Sequence, residues 1–425
     1  MLQRLLRNRI AKNAAWIIVC KSIQAVLGLA ITMLTARLYG PESYGVISYA
    51  ASLTTFLTPV AQLGFTSTLV GEIVANPSDE GEILGSATLS SLISGALCIF
   101  GIFMFTCLTL PDEPTTILVC ALYSLSLLTQ SIELVQYWFQ AKLLSKYVAV
   151  LTLIAYAAIS VYQLIVLMTG RSVVWYAVSK GIEYAIIAAG LLMIYRRLGG
   201  GRLTASIKRC RRMLKRSGFY LLSGLMVMML GQTDRVMIVT MLGETAVGLY
   251  SAAVVCANLT EFGFLAIIDS FRPVILTARQ RDMEEFETLM TQLYSMVIYL
   301  ALLQSVFITI LADPIIRVMY GAAYEASAET LRLLVWYTAF SYIGSVRLIW
   351  IYAEGKQHLL CLMNLLGALV NILLNWLLIP RWGIGGAAFA SLITQFFTNI
   401  VLGWVFPQIR RNNMLIVRAL KIKGR

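Results

Sequence analysis

The chain has 425 residues, of which 59% are hydrophobic and only 13% are charged. Soluble proteins carry about 25% charged residues, so this composition excludes a soluble enzyme or binding protein and indicates an integral membrane protein. The formal net charge of +13 does not require a nucleic acid partner, because Lys and Arg also gather in the cytoplasmic loops of membrane proteins.

Twelve apolar segments are long enough to cross a bilayer, which takes about 20 residues per helix. The first follows several arginines without a cleavage-site pattern, and we interpret it as an uncleaved span. The predicted fold class is therefore an all-α integral membrane protein with twelve transmembrane helices. The predicted spans are 14–38, 45–74, 82–110, 115–140, 147–169, 173–195, 217–241, 246–273, 288–312, 327–353, 358–379 and 385–408.

The basic residues fall in alternate loops. With the N-terminus in the cytoplasm, Lys142, Lys146, the cluster at 196–216, Lys356 and the tail at 410–425 all lie on the cytoplasmic side. This distribution agrees with the positive-inside rule. It predicts a multi-pass protein with both termini in the cytoplasm.

A hairpin sequence occurs twice, about two hundred residues apart. In each copy an apolar run ends at a Gly, and a second Gly follows five residues later, at Gly40 and Gly45 and again at Gly243 and Gly248. Glycine can adopt positive φ in a tight turn without a steric penalty, and a small residue at a helix start permits close packing. The repeat predicts that the chain consists of two halves of similar design.

The repeat and the longest stretch without a span suggest the domain division. Residues 1–200 are predicted to form an N-terminal six-helix lobe and residues 217–425 a C-terminal six-helix lobe, around a central polar cavity. Repeats with even numbers of spans have parallel topology. Residues 201–216 are predicted to be a basic cytoplasmic linker, which either contacts anionic lipid head groups or meets an anionic substrate.

Polar side chains recur on one face of several predicted spans. One explanation is that they hold helices together, and the other is that they line a water-filled cavity. The second explanation suits a hydroxyl-rich ligand such as a sugar chain. The candidate cavity residues are Lys21, Gln62, Glu133, Lys180, Arg235, Asn364, Asn371 and Arg347.

Full charges inside a span are costly, at least about 2.5–3.5 kcal/mol at the bilayer centre. Lys180 and Glu183 lie three residues apart on one helix, and we expect them to form an ion pair. Asp234 and Glu261 are the candidate ion-coupling residues, although a buried structural pair would explain Glu261 equally well.

No catalytic constellation, phosphate-binding loop or metal-ligand spacing occurs in the sequence. The seven cysteines are scattered without a C-x-x-C pair, which is typical of buried apolar fillers. We therefore expect neither an enzyme nor a bound metal or cofactor.

Four Gly-containing segments at predicted helix starts resemble a known family. They are Leu38–Gly45, Leu242–Ser251, Met319–Glu325 and Trp382–Ala388. In this order they resemble the polysaccharide-export flippases, and the chain is similar to O-antigen flippases of the Wzx type. That family lies within the MATE-like superfamily, which also contains multidrug and toxin extruders.

The resemblance implies a transporter that moves an undecaprenyl-pyrophosphate-linked oligosaccharide across the bacterial inner membrane by alternating access. The sugar would occupy the polar cavity, while Lys21, Arg235 and Arg347 would attract the pyrophosphate. A proton or sodium gradient, or consumption of the flipped product, would drive the cycle. The implied partners are the lipid-linked oligosaccharide, membrane lipid and other polysaccharide-assembly proteins, without nucleic acid.

Other readings remain open at this point. A multidrug exporter of the MATE type would have acidic residues in its cavity, and a lipid II flippase usually has two further helices. A membrane-bound polysaccharide polymerase or ligase needs a large periplasmic loop, whereas the longest predicted outer loop spans only about 312–326. A structural scaffold would not explain polar faces on so many helices.

Overall fold

The computed structural model of the chain is built almost wholly from α-helices. It describes the backbone of residues 2–421 and the side chains of residues 16–421, and no β-strand occurs in that range. The chain divides into two compact units, Met1–Met228 and Met229–Arg425.

The first unit contains eight complete helices and the beginning of a ninth. Its main core lies where α2, α3, α6 and α8 meet, around Phe65, Phe139, Leu191 and Tyr195. The helices are α1 Leu2–Ala61, α2 Leu69–Ala75, α3 Glu80–Thr109, α4 Pro114–Ser124, α5 Ser126–Glu133, α6 Gln136–Ala141, α7 Ser145–Met168, α8 Val173–Arg197 and α9 Ile207–Leu242.

The second unit contains the end of α9 and eight further helices. Its core includes Phe286, Tyr294, Val346 and Trp350, together with apolar residues of the last helix. The helices are α10 Glu244–Ala257, α11 Glu261–Arg281, α12 Met283–Ile310, α13 Ala312–Met319, α14 Ser327–Ala353, α15 Gln357–Phe396, α16 Leu402–Val405 and α17 Arg410–Lys421.

Large apolar side chains cover the outside of these helices. Leu97, Leu108, Met168, Leu303 and Ile310, for example, are all mostly exposed. Such a surface is unstable in water but is the surface expected in contact with lipid, where each helix satisfies its own backbone groups. The predicted all-α integral membrane fold is confirmed.

The number of spans depends on how two long helices are counted. Among the described residues, nine helices are long and apolar enough to cross a membrane, or ten if α10 and α11 form one span. Two of the nine, Trp16–Ala61 and Gln357–Val405, contain 46 and 49 residues. That is about twice the length needed to cross a bilayer. Counting each of these two as two spans, and α10 with α11 as one, gives twelve, and the exact number stays a prediction.

Glycines interrupt both long helices and form the repeated hairpin. Gly40 has φ 76° and ψ 176°, and its counterpart Gly243 has nearly the same conformation, φ 86° and ψ −178°. This region of φ and ψ is essentially accessible only to Gly. The two copies of the hairpin therefore make the same turn, as their shared sequence suggests. Gly321 and Gly383, from the other two motifs, also have positive φ.

Three predicted spans are broken, contrary to the prediction of continuous helices. The predicted span 45–74 ends at Ala61, since Leu63 and Gly64 adopt positive φ before the short helix α2. The predicted span 115–140 consists of α4, α5 and α6, and the predicted span 246–273 is bent by 43° between α10 and α11. The last span contains a π-helical turn at Phe397–Val401.

The basic linker packs against other parts of the first unit, while most of its basic side chains are exposed. Its Arg209 forms ion pairs with Asp79 and Glu82, and Arg216 pairs with Glu72. The backbone N–H of Ser206 donates to Ser86 Oγ at 3.1 Å. Two of its basic residues are thus paired with acidic residues of α2, α3 and the turn between them. The linker's predicted contact with lipid head groups or an anionic substrate stays a prediction.

The boundary between the two compact units lies close to the predicted one, and the predicted two-lobe division stays a prediction. The predicted C-terminal lobe begins at residue 217, whereas the observed division falls between Met228 and Met229, inside α9. The linker and the first part of α9 belong to the first unit because Gly64 allows its own turn to contact the backbone of α9 at Ser217 and Leu221.

Replacing Gly40 by Ala tests the turn. An added Cβ would meet no atom within 4 Å, so the expected loss of about 1–3 kcal/mol in the free energy of unfolding comes from backbone strain alone. Thermal unfolding of the purified protein in detergent measures it. The control is Gly101→Ala inside α3, which also has open space around it and lacks positive φ. Equal melting temperatures for G40A and G101A would contradict the strain argument.

Candidate functional site

The first unit contains an open polar cavity of about 410 Å³. It lies among α1, α5, α6, α7 and α8, and most of its lining side chains carry an amide, a hydroxyl or a charge. The polar lining residues are Lys21, Gln24, Glu133, Gln136, Gln140, Ser145, Thr152, Tyr156, Glu183 and Tyr184.

Helical spacing places the α1 and α7 residues of this cavity opposite each other. Lys21 and Gln24 lie on one face of α1, and Gln24 Nε2 donates to Thr152 Oγ1 of α7 at 3.2 Å. One turn further along α1, Gly28 leaves room for the Tyr156 hydroxyl, which lies 2.6 Å from where a Cβ would be. The polar face predicted for the first helix thus both lines the cavity and bonds to a neighbouring helix.

An interruption of the helix between α5 and α6 positions Glu133 and Gln136. Helix α5 ends at Glu133 and α6 begins at Gln136, and across the break the N–H groups of Tyr137 and Trp138 donate to carbonyls three residues earlier. Such tightened turns inside a helical segment often mark functional positions. Both side chains line the cavity.

Three charged residues line the cavity, Lys21, Glu133 and Glu183, whereas Lys180 is not among its lining residues. Lys180 Nζ lies 2.8 Å from Glu183 Oε2, which confirms the predicted ion pair. Lys21 is exposed and Glu133 half-buried, and neither forms an ion pair among the described side chains. The cavity therefore offers one ammonium and one carboxylate to a ligand, in addition to amides, hydroxyls and an aromatic ring.

Gln62 lies away from this cavity. It follows the end of α1 in the turn that contains Gly64, and its backbone N–H donates to Thr58 O at 2.9 Å. It is half-buried and is not among the residues that line the cavity.

The second unit contains a buried carboxylate surrounded by hydrogen-bond donors. Asp234 Oδ1 accepts from the amides of Asn371 and Asn375 at 3.0 and 2.7 Å. Its Oδ2 accepts from the hydroxyl of Tyr250 at 2.6 Å and from that of Ser391. Asp234 is only 7% exposed. Four donors from α10 and α15 thus take the place of water around this α9 side chain, as a buried charge requires.

Arg235, the next residue, points in a different direction. Its Nη1 donates to Gln232 Oε1 at 2.9 Å and its Nε to Ser251 Oγ at 3.2 Å. Successive helical residues point about 100° apart, so the two charges do not pair, as predicted. Asn364 lies on α15 two turns before Asn371 and is half-buried.

Glu261 occupies the break between α10 and α11. It is the first residue of α11 and is exposed, and its N–H donates to Asn258 O at 3.0 Å. Asp269, two turns further along α11, pairs with Arg272 at 2.9 Å. Glu261 thus lies near the middle of the predicted span 246–273, but at a bend rather than inside a continuous helix, and its role in ion coupling stays a prediction.

Arg347 is 1% exposed and bonds within its own unit. Its guanidinium donates to Asn412 Oδ1 at 3.0 Å, Asn413 Oδ1 at 2.5 Å and Thr398 O at 3.4 Å. The two asparagines belong to α17, and Thr398 lies in the π-helical turn, where a carbonyl is released from regular pairing. These contacts are those of a structural clamp, and the predicted pyrophosphate contact stays a prediction.

Three residues of the Asp234 cluster, Tyr250, Asn375 and Ser391, were absent from the predicted set. Tyr250 and Ser391 lie in apolar stretches of other helices, where one hydroxyl gives no periodic signal. Asn375 could be found, since it lies one turn after Asn371 on the same line of α15.

Two family models match the chain. The model described as polysaccharide biosynthesis protein matches residues 10–277. The model described as lipid II flippase MurJ matches residues 201–422. Together they extend over nearly the whole chain.

Solved structures with the same fold cover almost all of it. The lipid II flippase MurJ in an inward closed conformation matches with a TM-score of 0.72 at 16% identity, over 96% of this chain and 93% of that one. An inward-facing MATE family multidrug resistance transporter of the MOP superfamily matches with a TM-score of 0.67 at 15% identity, over 96% and 100%. A MOP superfamily transporter from Pyrococcus furiosus gives 0.60 at 14% identity, over 96% of both chains.

One curated relative is an uncharacterized membrane protein of Methanocaldococcus jannaschii, MJ1068, which is 27% identical over 125 residues. That match covers 29% of this chain and only 24% of the relative. The family models, which each match half of the chain or more, carry the assignment. The chain belongs to the polysaccharide biosynthesis protein family, and its second half also matches the model of the lipid II flippase MurJ family.

Proposed function

We propose that this protein is a flippase for an undecaprenyl-pyrophosphate-linked oligosaccharide, such as the repeat unit of O-antigen or another surface polysaccharide. It moves this substrate across the bacterial inner membrane by alternating access, with both of its termini in the cytoplasm. The observation that carries the proposal is the polar cavity of the first unit, in a membrane protein of a polysaccharide biosynthesis family.

The chemistry of the cavity suits a sugar. The amides of Gln24, Gln136 and Gln140 both donate and accept hydrogen bonds, as sugar hydroxyls do. The Tyr156 ring supplies an apolar face. Lys21 supplies a positive charge for a phosphate or an acidic sugar, and Glu133 supplies a carboxylate that accepts bonds from hydroxyls.

One observation favours a second candidate function. Glu133 lines the cavity without an ion pair among the described side chains, and an unpaired carboxylate is what an exporter of cationic drugs would use. In that reading the protein is a multidrug exporter of the MATE type, and Lys21 contributes nothing to the binding of its cargo.

Export of a surface glycan tests the cavity directly. We expect Lys21→Gln and Glu133→Gln each to lower export about tenfold or more, because a hydrogen bond to a charged group contributes about 1.5–3 kcal/mol and 1.4 kcal/mol is a factor of ten. The measurement is surface glycan in a deletion strain of the natural host that carries each variant, with membrane protein quantified in parallel.

The matched controls are Lys146→Gln and Glu42→Gln, exposed charges of the same unit outside the cavity lining. Normal glycan export by both cavity variants would refute the assignment of the cavity. Loss of dye efflux by Glu133→Gln alone, with glycan export unchanged, would support the multidrug exporter instead.

Energy coupling is assigned to Asp234. Carboxylate, amide and hydroxyl oxygens form the donor set that hard cations prefer, and Asp234, Asn371, Asn375 and Ser391 supply such atoms. Asn375 Oδ1, among the described side chains, is buried and accepts no hydrogen bond, which fits an additional ligand. Among the described residues no cluster of three His, Cys, Asp or Glu side chains suggests a transition-metal site. A bound sodium ion, or a proton on the carboxylate, would link the packing of α9, α10 and α15 to an ion gradient.

Sodium binding should stabilise the folded protein. A ligand at about 100 times its Kd adds about 2.7 kcal/mol, so the melting temperature in detergent should be higher in sodium chloride than in choline chloride. Asp234→Asn should abolish this difference, whereas Glu261→Gln, which changes an exposed side chain, should retain it. A melting temperature that responds to pH but not to sodium would assign the site to a proton. If Glu261→Gln alone lost the response, Glu261 would replace Asp234 as the coupling residue.

A further inference from the structure

The last helix of the chain is amphipathic and is held against the second unit. Its buried face consists of Asn412, Asn413, Leu415, Ile416 and Ala419. The two asparagines bond to Arg347, as described above, and Asn412 Oδ1 also accepts from the hydroxyl of Tyr294 at 3.1 Å. Helix α17 is therefore packed firmly against the rest of the second unit and forms one wall of the groove described next.

An apolar groove of about 330 Å³ lies beside this wall. It is bounded by α12, α14, the end of α15, the π-helical turn, α16 and α17. The side chains that form its walls include Leu302, Trp336, Phe340, Phe396, Trp404 and Leu420.

The groove offers almost no polar atom to an occupant. Asn413 is its single hydrophilic lining residue within the described part of the chain. The oxygen of that amide accepts from Arg347 and the nitrogen donates to Ile400 O at 2.8 Å. The indole N–H of Trp336 is likewise taken, by Thr309 Oγ1 at 3.2 Å. An occupant must therefore be a hydrocarbon.

The groove is open at the lipid-facing surface. Leu302, Phe396, Trp404, Val417 and Leu420 are lining residues that are also exposed. In a membrane, an apolar groove with this opening is in contact with lipid chains, and leaving it empty would forfeit the dispersion contacts of its walls.

Cations flank the groove without an acidic partner. Arg410 and Lys421 stand at the two ends of α17 and are exposed, and neither forms an ion pair among the described side chains. Arg410 adjoins the groove directly, since its Nε donates to the carbonyl of Trp404 at 2.9 Å. The other two arginines of α17, Arg411 and Arg418, share the carboxylate of Glu287.

We propose that this groove binds one acyl chain of an anionic phospholipid, whose phosphate is contacted by Arg410 or Lys421. The apolar walls select a hydrocarbon chain, and the two uncompensated cations select a negatively charged head group. The occupant is a resident membrane lipid, distinct from the transported substrate, and it seals the second unit where α17 meets α12 and α14.

Native mass spectrometry of the delipidated full-length protein tests this proposal. The protein is titrated with dioleoyl phosphatidylglycerol and, separately, with dioleoyl phosphatidylcholine. We expect the wild type to retain phosphatidylglycerol at least about fivefold more strongly. The double variant R410Q/K421Q should lose this preference but still bind either lipid weakly through the groove.

Two groove-filling variants and one charge control accompany this measurement. Val417→Trp and Leu302→Trp fill the groove from opposite walls at exposed positions, and each should reduce the binding of both lipids. Arg381→Gln removes an exposed arginine that, like Arg410, bonds to a backbone carbonyl, Leu377 O at 2.8 Å. It should change nothing.

Three results would overturn the proposal. They are an unchanged preference for phosphatidylglycerol in R410Q/K421Q, wild-type lipid binding in both groove-filling variants, and displacement of phosphatidylglycerol by an equal concentration of a polyprenyl phosphate. The last result would assign the groove to an isoprenoid chain. Thermal unfolding of each variant in detergent shows whether it is folded, and the two tryptophan variants approach the groove from different helices, so that one remains informative if the other is unstable.

Discussion

A charge inside an apolar helical unit must be stabilised by its own neighbours, and the carboxylate of Asp234 imposes this requirement on the second unit. Four donors from α10 and α15 surround it. A buried ion that loses such partners is strongly destabilising. The close packing of α9, α10 and α15 is thus tied to one side chain, and a change in the charge of that side chain acts on three helices together.

The sequence could predict what depends on periodicity. Asn371 and Asn375 lie on one line of α15, and Lys21 and Gln24 on one face of α1, so the polar faces of these helices could be recognised. Because Gly alone tolerates the backbone conformation of Gly40 and Gly243, the repeated hairpin could be recognised as well. Which helix a polar face meets depends on packing, and for that reason Tyr250 and Ser391 could not be assigned to Asp234.

Whether a single charged residue inside a span is exposed or buried was the property least predictable from the sequence. Lys21 and Arg347 have similar surroundings in the sequence, yet Lys21 is exposed at a cavity whereas Arg347 is enclosed by oxygens of α17 and the π-helical turn. The difference arises because residues 410–421 form a docked helix, which a basic tail does not suggest. The surroundings of Glu133 and Glu261 were also unpredictable. Both residues lie at helix ends, because their spans are broken at points that the apolar runs of the sequence do not reveal.

Helix α17 contributes to the stability of the second unit, because its asparagines accept hydrogen bonds from the buried Arg347. If the chain were cut after Pro407, the guanidinium would lose the oxygens of Asn412 and Asn413 and keep the carbonyl of Thr398 and the hydroxyl of Tyr294. A nearly fully buried cation would then face an apolar interior. Removal of α17 is consequently a change to the core of the second unit.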